Sequence, residues 1–301
     1  MPVSVVVPTL GRASLAACLR SLRDCRPLPG EVLVVAQGQA AGLEELAARA
    51  GPPGVRVVRD SGFGVSRNRN LGLRLAAHAV VAVTDDDCTV QADWIARAFE
   101  LAREHPDAIL TGRVLPVGDP DRVPSWKDEP EPHDFSGEID TGALYPNNMV
   151  LPRDRILAFG GFDERFRPSE FAEDCDLAYR WLRAGLPLRY EPGLVVHHHD
   201  WRTDEELERL YVLYGRGLGA LYAKHLREGD REILRFLRRD VRLAVVALLE
   251  RLRRRDVPPR WPHGLPVGLP LGLLYGFRHL PPGSPWGVRR DARAARRRAP
   301  A

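Results

Sequence analysis

The chain has 301 residues, of which 44% are hydrophobic and 28% are charged, and its formal net charge at pH 7 is +4. This length and composition are typical of a globular protein with one large domain or two smaller ones, and the lack of any run of about 20 apolar residues argues against a transmembrane helix. Residues 235–301 hold 16 arginines and 4 acidic residues, so the preceding part is net acidic, which argues against a nucleic-acid-binding core.

The first hundred residues predict strands that alternate with helices. Short β-branched or apolar runs predict the strands, and longer segments with apolar residues at 3.6 spacing predict the helices. Continuous apolar strands joined by helices are typical of βαβ units, in which a mostly parallel sheet is covered on both faces. The predicted strands are residues 3–7, 31–36, 55–58 and 79–84, and the predicted helices are residues 15–22, 43–50, 65–78 and 94–104.

Three consecutive aspartates, Asp85, Asp86 and Asp87, follow the fourth predicted strand. Adjacent carboxylates repel one another, and a hard divalent cation such as Mg²⁺ or Mn²⁺ would offset that repulsion. Ligands of open α/β sheets bind outside the carboxyl ends of the strands. The position therefore favours a metal and phosphate site over a solvated acidic turn.

Two later segments bear on function. Residues 116–146 are rich in Pro, Gly and acidic residues and show little periodicity, which predicts a functional loop or a disordered segment and favours a lid or a substrate loop. A helix is predicted over residues 169–184, where Asp174 shares the apolar face of Leu177 and Trp181 and so should point inward, in need of a role or a partner. The opposite face is predicted to be exposed and holds Glu173, Asp176, Arg180 and Arg183.

The chain becomes helical and basic after a strand at residues 188–196 that runs into His197, His198 and His199. Residues 205–227 and 230–255 have helical periodicity, and residues 264–280 are apolar but interrupted by Pro and Gly. Two interpretations of this C-terminal region stay open. It lies on an anionic membrane surface, or it packs on the preceding domain.

Five motifs, in this order, resemble those of family 2 glycosyltransferases of the GT-A fold. They are VSVVVPT (residues 3–9), GVSRNRNLG (64–72), DDD (85–87), GGFDE (160–164) and EDCDL (173–177). The resemblance covers roughly residues 1–200. It implies an α/β, GT-A-like Rossmann-type sheet flanked by helices, with residues 1–115 as the nucleotide-sugar-binding half, 116–205 as the acceptor-binding and catalytic half, and 206–301 as a helical basic extension.

The same resemblance implies metal-dependent transfer of a sugar, with inversion, from a nucleotide diphosphate sugar to a glycan, lipid-linked or small-molecule acceptor. Such a reaction needs Mn²⁺ or Mg²⁺ at the leaving diphosphate and a general base for the acceptor proton. By resemblance Asp174 is the base, and Asp87, Asp85 and His198 hold the metal.

By resemblance, further residues bind the two substrates. Relatives usually carry an aspartate after the second strand, where this chain has Gln37, so UDP, GDP and dTDP sugars all stay open as donors. The residues expected at the nucleotide sugar are Pro8, Thr9, Arg12, Gln37, Arg69, Asp85 and Asp86. The residues expected at the acceptor are Trp126, Asn147, Asn148 and Glu173.

Two other functions are alternatives. A nucleotidyltransferase also places a nucleotide and Mg²⁺ on a parallel sheet, but the loop at residues 8–12 is a poor match to its Gly-rich basic loop, and the GxGxxG of a Rossmann oxidoreductase is absent. A catalytically inactive saccharide- or partner-binding module on the same fold would not need an intact Asp87 and Asp174. Four widely spaced cysteines and a strand that begins at residue 3 predict a cytoplasmic protein, membrane-associated if the C-terminal region binds a bilayer.

Overall fold

The structure, a computed structural model, describes residues 2–166, 171–253 and 262–280. The strands are β1 (Val3–Thr9), β2 (Glu31–Gln37), β3 (Arg56–Asp60), β4 (Val80–Val83), β5 (Cys88–Val90), β6 (Ile109–Val117), β7 (His133–Asp134), β8 (Met149–Pro152) and β9 (Leu188–His199). The helices are α1 (Leu15–Asp24), α2 (Leu43–Ala50), α3 (Val65–Leu75), α4 (Trp94–Glu104), α5 (Arg153–Phe159), α6 (Glu173–Arg183), α7 (Asp204–Arg227), α8 (Leu234–Arg253) and α9 (Leu265–His279), with a 3₁₀ turn at Glu164–Phe166.

The strands form a single sheet in the order β3-β2-β1-β4-β8-β6-β9-β5, with β7 paired to β9. The first four strands are parallel, β8 is antiparallel to both β4 and β6, and β6 and β9 are parallel. The predicted α/β fold with flanking helices is confirmed. The parallel arrangement holds for the predicted N-terminal strands, and insertion of β8 makes the complete sheet mixed.

The sheet is buried on both faces because its central strands point apolar side chains in both directions. Val5 and Val7 of β1 pack in a core with α1, α2 and α4, whereas Val6 points into the core formed with α3, α5 and α6. Helix α3 approaches β1 closely at Gly72, where a Cβ atom would lie 2.4 Å from Val6 Cγ1. Continuous apolar strands are the expected result of this two-sided burial.

The C-terminal helices pack on the sheet domain and on each other. Helix α9 runs against α7 with almost no side chains between the two backbones: a Cβ atom on Gly268 would lie 2.2 Å from the Val212 carbonyl oxygen, and one on Gly272 would lie 2.0 Å from that of Arg216. The apolar segment at residues 264–280 is therefore a helix in spite of its Pro and Gly content. Part of the predicted basic tail, residues 254–261 and 281–301, lies outside the described residues.

Where the chain is described, none of its helices combines the length and the apolar character that crossing a bilayer requires.

Candidate active site

A cleft of about 510 Å³ opens at the carboxyl ends of the parallel strands. Pro8 and Thr9 end β1, Gln37 ends β2, and the three aspartates follow β4. Five residues predicted to bind the donor therefore lie at one edge of the sheet, namely Pro8, Thr9, Gln37, Asp85 and Asp86. The N-terminus of α6 and one side of α7 form the facing wall. This is the edge at which open α/β sheets bind their ligands.

Asp86 is a buried anchor for the loop after β1. It accepts a hydrogen bond from Thr9 Oγ1 at 2.6 Å and pairs with Arg12 Nη1 at 3.0 Å. Burial raises the pKa of Asp86, while the charge of Arg12 and the hydrogen bond from Thr9 act in the opposite direction. In this structure Thr9 and Arg12 are thus held at the cleft by an aspartate of the same triplet.

Asp87 lies beside His198, as a metal site requires. Its Oδ1 is 3.5 Å from His198 Nε2, and its Oδ2 accepts a hydrogen bond of 2.8 Å from Trp201 Nε1. Burial alone would raise the pKa of Asp87, but the hydrogen bond and charge of His198, the charge of Arg202 and the Trp201 hydrogen bond hold it below its ordinary value. Asp87 is therefore ionised at neutral pH.

The donor atoms around Asp87 fit Mn²⁺ or Mg²⁺. Asp87, Cys88 and His198 place one potential ligand atom each within 4.8 Å of one another. Mg²⁺ and Mn²⁺ prefer hard oxygen ligands, so the soft sulfur of the buried Cys88 is a poor ligand for them. Oxygen from Asp87 and nitrogen from His198 remain. Asn147, whose Nδ2 is 3.4 Å from His198 Nδ1, lines the same cleft and has a buried Oδ1 without a hydrogen-bond partner within the described residues. Carboxylate and amide oxygens are the ligands that these cations prefer, and an imidazole nitrogen is better suited to Mn²⁺ than to Mg²⁺.

Asp85, the third predicted metal ligand, contacts Arg69 instead of the Asp87–His198 pair. Arg69 is buried and forms a bridge, with Nη2 at 3.1 Å from Asp85 Oδ1 and Nη1 at 2.5 Å from Glu173 Oε1. The guanidinium thereby joins the end of β4 to the start of α6. Because Glu173 is 4% exposed, the prediction that it lies on a solvent-facing side of α6 is wrong.

Asp174, the predicted base, lines the cleft in the first turn of α6 and is half-buried. Asp174 is more exposed than Glu173 and Asp176, which are both buried, so the order of burial predicted for these three carboxylates is reversed. Burial raises the pKa of Asp174, and the charge of Arg69 opposes this shift. The pKa of the neighbouring Glu173 is also raised, first by burial and then by the charge of Asp174. A carboxylate with a raised pKa accepts a proton more readily near neutral pH than an exposed one.

Asp176 is also buried, so the prediction that it is exposed is wrong. Its partner, Lys224, lies 48 residues further along the chain. Lys224 Nζ is 2.6 Å from Asp176 Oδ1 and 2.8 Å from Asp163 Oδ2, and His225 Nε2 is 2.9 Å from Asp176. Arg180, the residue one turn further along α6, completes the pairing at 2.7 Å. Helix α7 covers this face of α6, and the Lys224–His225 pair within its buried side was the missed signal.

The four predicted acceptor residues lie in different surroundings. Asn147 lines the cleft, and Trp126 is 44% exposed next to Ser125, a cleft residue. Asn148 is fully buried and does not reach the cleft, since its amide donates to the carbonyls of Arg113 and Leu194 and accepts from Trp94. Asn148 therefore connects β6, β9 and α4. The fourth residue, Glu173, is engaged by Arg69 as described.

Several residues of the cleft were not predicted, and they follow the histidine strand in the chain. The Trp201 ring is flanked by two guanidinium groups, with Arg12 at 4.7 Å and Arg202 at 4.2 Å from the ring centroid. Arg209 and Tyr214 of α7 line the opposite wall. The capping box of Thr203 and Glu206 marks the start of α7 in the sequence and could have placed these residues next to the histidine strand.

Comparison with known proteins gives a consistent result. Residues 4–162 match the family model described as "Glycosyl transferase family 2". The chain is 28% identical over 239 residues to the pre-mycofactocin glycosyltransferase of Mycobacterium tuberculosis, covering 74% of this chain and 48% of that protein. It is 27% identical over 183 residues to the glucosyl-dolichyl phosphate glucuronosyltransferase of Haloferax volcanii, covering 54% of this chain and 56% of that protein. The chain thus spans about half the length of these curated relatives.

Among solved structures, S. aureus TarS 1-349 in complex with UDP-GlcNAc is similar in fold. The TM-score is 0.55 at 17% sequence identity, and the likeness covers 78% of this chain and 72% of TarS 1-349. This likeness confirms the predicted GT-A-like fold.

Proposed function

Because the chain belongs to glycosyl transferase family 2, we propose that it transfers a sugar from a nucleotide diphosphate sugar to an acceptor, with Asp174 as the general base. One observation carries the proposal: a single cleft at the strand ends holds both the buried Asp87–His198 pair and the half-buried Asp174. The complex of TarS with UDP-GlcNAc supports a nucleotide sugar as the donor.

Residues on the two sides of the cleft would have different roles in the reaction. Asp87 and His198 would hold the cation, which when bound neutralises the charge of the leaving diphosphate. Arg12 and Arg202, placed by Asp86 and Trp201, would donate to the diphosphate oxygens, for which a guanidinium is well suited. Asp174 would take the proton of the acceptor as it attacks, and a direct displacement of this kind inverts the anomeric configuration.

The predicted division of the chain is kept with one extension. Residues 1–115 would bind the donor and residues 116–205 the acceptor, while the region from residue 206 onward contributes the α7 wall of the same cleft. Gln37, at the position of the usual aspartate, accepts a hydrogen bond of 2.9 Å from the Gly64 amide, which fixes its side chain near the expected nucleotide base. UDP, GDP and dTDP sugars stay as alternatives.

The acceptor stays a choice among glycan, lipid-linked and small-molecule classes. The named activities of the two relatives differ, one concerning pre-mycofactocin and the other a dolichyl phosphate. Contact of the C-terminal region with a membrane would bring lipid-linked acceptors within reach of the cleft.

A thermal-shift screen of UDP, GDP and dTDP, each with and without Mn²⁺, tests the donor site first. We expect one nucleotide to raise the melting temperature, with a larger increase when Mn²⁺ is present, because a ligand that binds only the folded state stabilises it by mass action. Product formation from the matching sugar nucleotide is then compared between the wild type and Asp174→Asn. Retained nucleotide binding with lost product supports the proposal. Equal product from both proteins would remove Asp174 as the base, and nucleotide binding without turnover by the wild type on any donor would favour an inactive binding module.

A further inference from the structure

Helix α8 directs an apolar stripe away from the protein. Its buried residues, Phe236, Asp240 and Ala247, lie on one side of the helix. At about 100° per residue, the opposite side carries a stripe with the spacing i, i+4, i+7, i+8 and i+11. These stripe residues are each at least 44% exposed, and they are Val241, Val245, Leu248, Leu249 and Leu252.

Helix α9 repeats this arrangement. Its glycines face α7, whereas four large apolar side chains on the other side are each about half exposed, namely Val267, Leu271, Leu274 and Phe277. Of the 18 exposed large hydrophobic side chains among the described residues, 11 belong to α8 and α9. We call this surface the α8–α9 face. Concentrated apolar exposure of this kind marks an interaction site.

The charge around the α8–α9 face is predominantly positive. Arg238 and Arg242 are exposed beside the α8 stripe, and neither forms an ion pair within the described residues. Arg253 is exposed at the end of the same helix. Residues 281–301, which follow α9 in the chain, contain six arginines and one aspartate. An apolar stripe flanked by arginines fits the boundary between anionic headgroups and acyl chains.

We propose that the α8–α9 face binds the surface of an anionic lipid bilayer, with α8 and α9 lying in the plane of the interface. A second copy of the chain is a poorer occupant, because pairing two such faces would bring their arginines together. This inference rests on the C-terminal surface alone and does not depend on the proposed catalytic activity. It adds a consequence for that activity, since α7 packs on α9 with its backbone and also forms a wall of the cleft.

Flotation of the full chain with lipid vesicles tests the inference. We expect binding to vesicles of phosphatidylcholine with about one third phosphatidylglycerol, little binding to pure phosphatidylcholine, and loss of binding in high salt because surface charges are screened. The variant Leu249→Glu/Leu252→Glu should bind at least about tenfold more weakly. Its matched control, Leu28→Glu/Leu75→Glu, introduces the same charge on exposed leucines elsewhere and should bind like the wild type.

A second variant guards against misfolding of the first. Arg238→Gln/Arg242→Gln leaves the apolar stripe intact and should weaken binding by about fivefold for each arginine removed. Circular dichroism checks the fold of every variant, and light scattering reports the oligomeric state. Equal flotation of the wild type, Leu249→Glu/Leu252→Glu and Arg238→Gln/Arg242→Gln would overturn the inference. So would a wild-type dimer that ignores vesicles and becomes monomeric in Leu249→Glu/Leu252→Glu, since the face would then be a contact between two copies.

Discussion

Replacing Lys224 by methionine tests whether the ion cluster between α6 and α7 stabilises the fold. Lys224 is 1% exposed, and its ammonium lies 2.8 Å from Asp163 and 2.6 Å from Asp176. These distances put the two carboxylate oxygens at most about 5.4 Å apart, so without the ammonium their repulsion is about 3 kcal/mol at an effective dielectric constant of about 20. Loss of one partner from a buried ion pair costs about 3–5 kcal/mol. We expect Lys224→Met to lower the free energy of unfolding by about 3 kcal/mol.

The measurement is urea unfolding of the wild type, Lys224→Met and Arg97→Met at pH 7. Arg97 serves as the control because it also pairs with a carboxylate, Glu100, but the two side chains are 54% and 53% exposed. An exposed pair contributes about 0–1 kcal/mol. Equal destabilisation by the two variants would refute the reasoning, because it would assign no special stability to the buried cluster.

The pH dependence gives a second check on the same variant. Burial raises the pKa values of Asp163 and Asp176, but in the wild type Lys224 and the neighbouring cations hold both below their ordinary range. Their contribution to stability is therefore present above the unfolded pKa of about 3.9 and is lost as the pH falls through the folded values. The difference between the wild type and Lys224→Met should be largest at neutral pH and smaller below about pH 4.

Three further predictions concern the cleft and the C-terminal helices. Asp174→Asn should reduce turnover by about 10²–10⁴-fold, and in the wild type the acidic limb of the pH–rate profile should lie above the ordinary aspartate range, since burial raises the pKa of this base and it must be deprotonated to act. Asp87→Asn should abolish the Mn²⁺-dependent thermal shift with a nucleoside diphosphate, whereas Asp93→Asn, at a carboxylate that is 55% exposed, should leave it unchanged. Gly272→Ala should lower the free energy of unfolding, measured by chemical denaturation, by about 1–3 kcal/mol or more, because the new Cβ would lie 2.0 Å from a carbonyl oxygen. The control Gly193→Ala, which has open space around it, should change the free energy of unfolding by less than about 0.5 kcal/mol.

Local sequence patterns located elements well where the pattern is long and bounded. The predicted helices at residues 43–50 and 94–104 have the observed bounds of α2 and α4. The strands β6 and β8 and the helix α5 were not predicted. Strand β8 is four residues long and enters the sheet between β4 and β6, so its pairing depends on contacts far apart in the chain.

The site shows the same division between local and distant information. The place of the aspartate triplet at the sheet edge followed from its position after β4. Helical phase predicted which residues of α6 share a face, but it could not show that Glu173 and Asp176 would be covered while Asp174 stays partly exposed. Glu173 is buried by Arg69 from α3 and Asp176 by Lys224 from α7, and only the folded chain brings these partners together.

Because α7 and α9 are in backbone contact at glycines, the two helices should move together as a rigid unit. Where side chains separate two helices, rotamer changes can absorb a small shift of one helix against the other. Here the backbones are in direct contact at Gly268 and Gly272, so no side chains between them can adjust. A tilt of α9 must therefore move α7 as well. Because α7 forms one wall of the cleft, a tilt of α9 would change the width of the cleft.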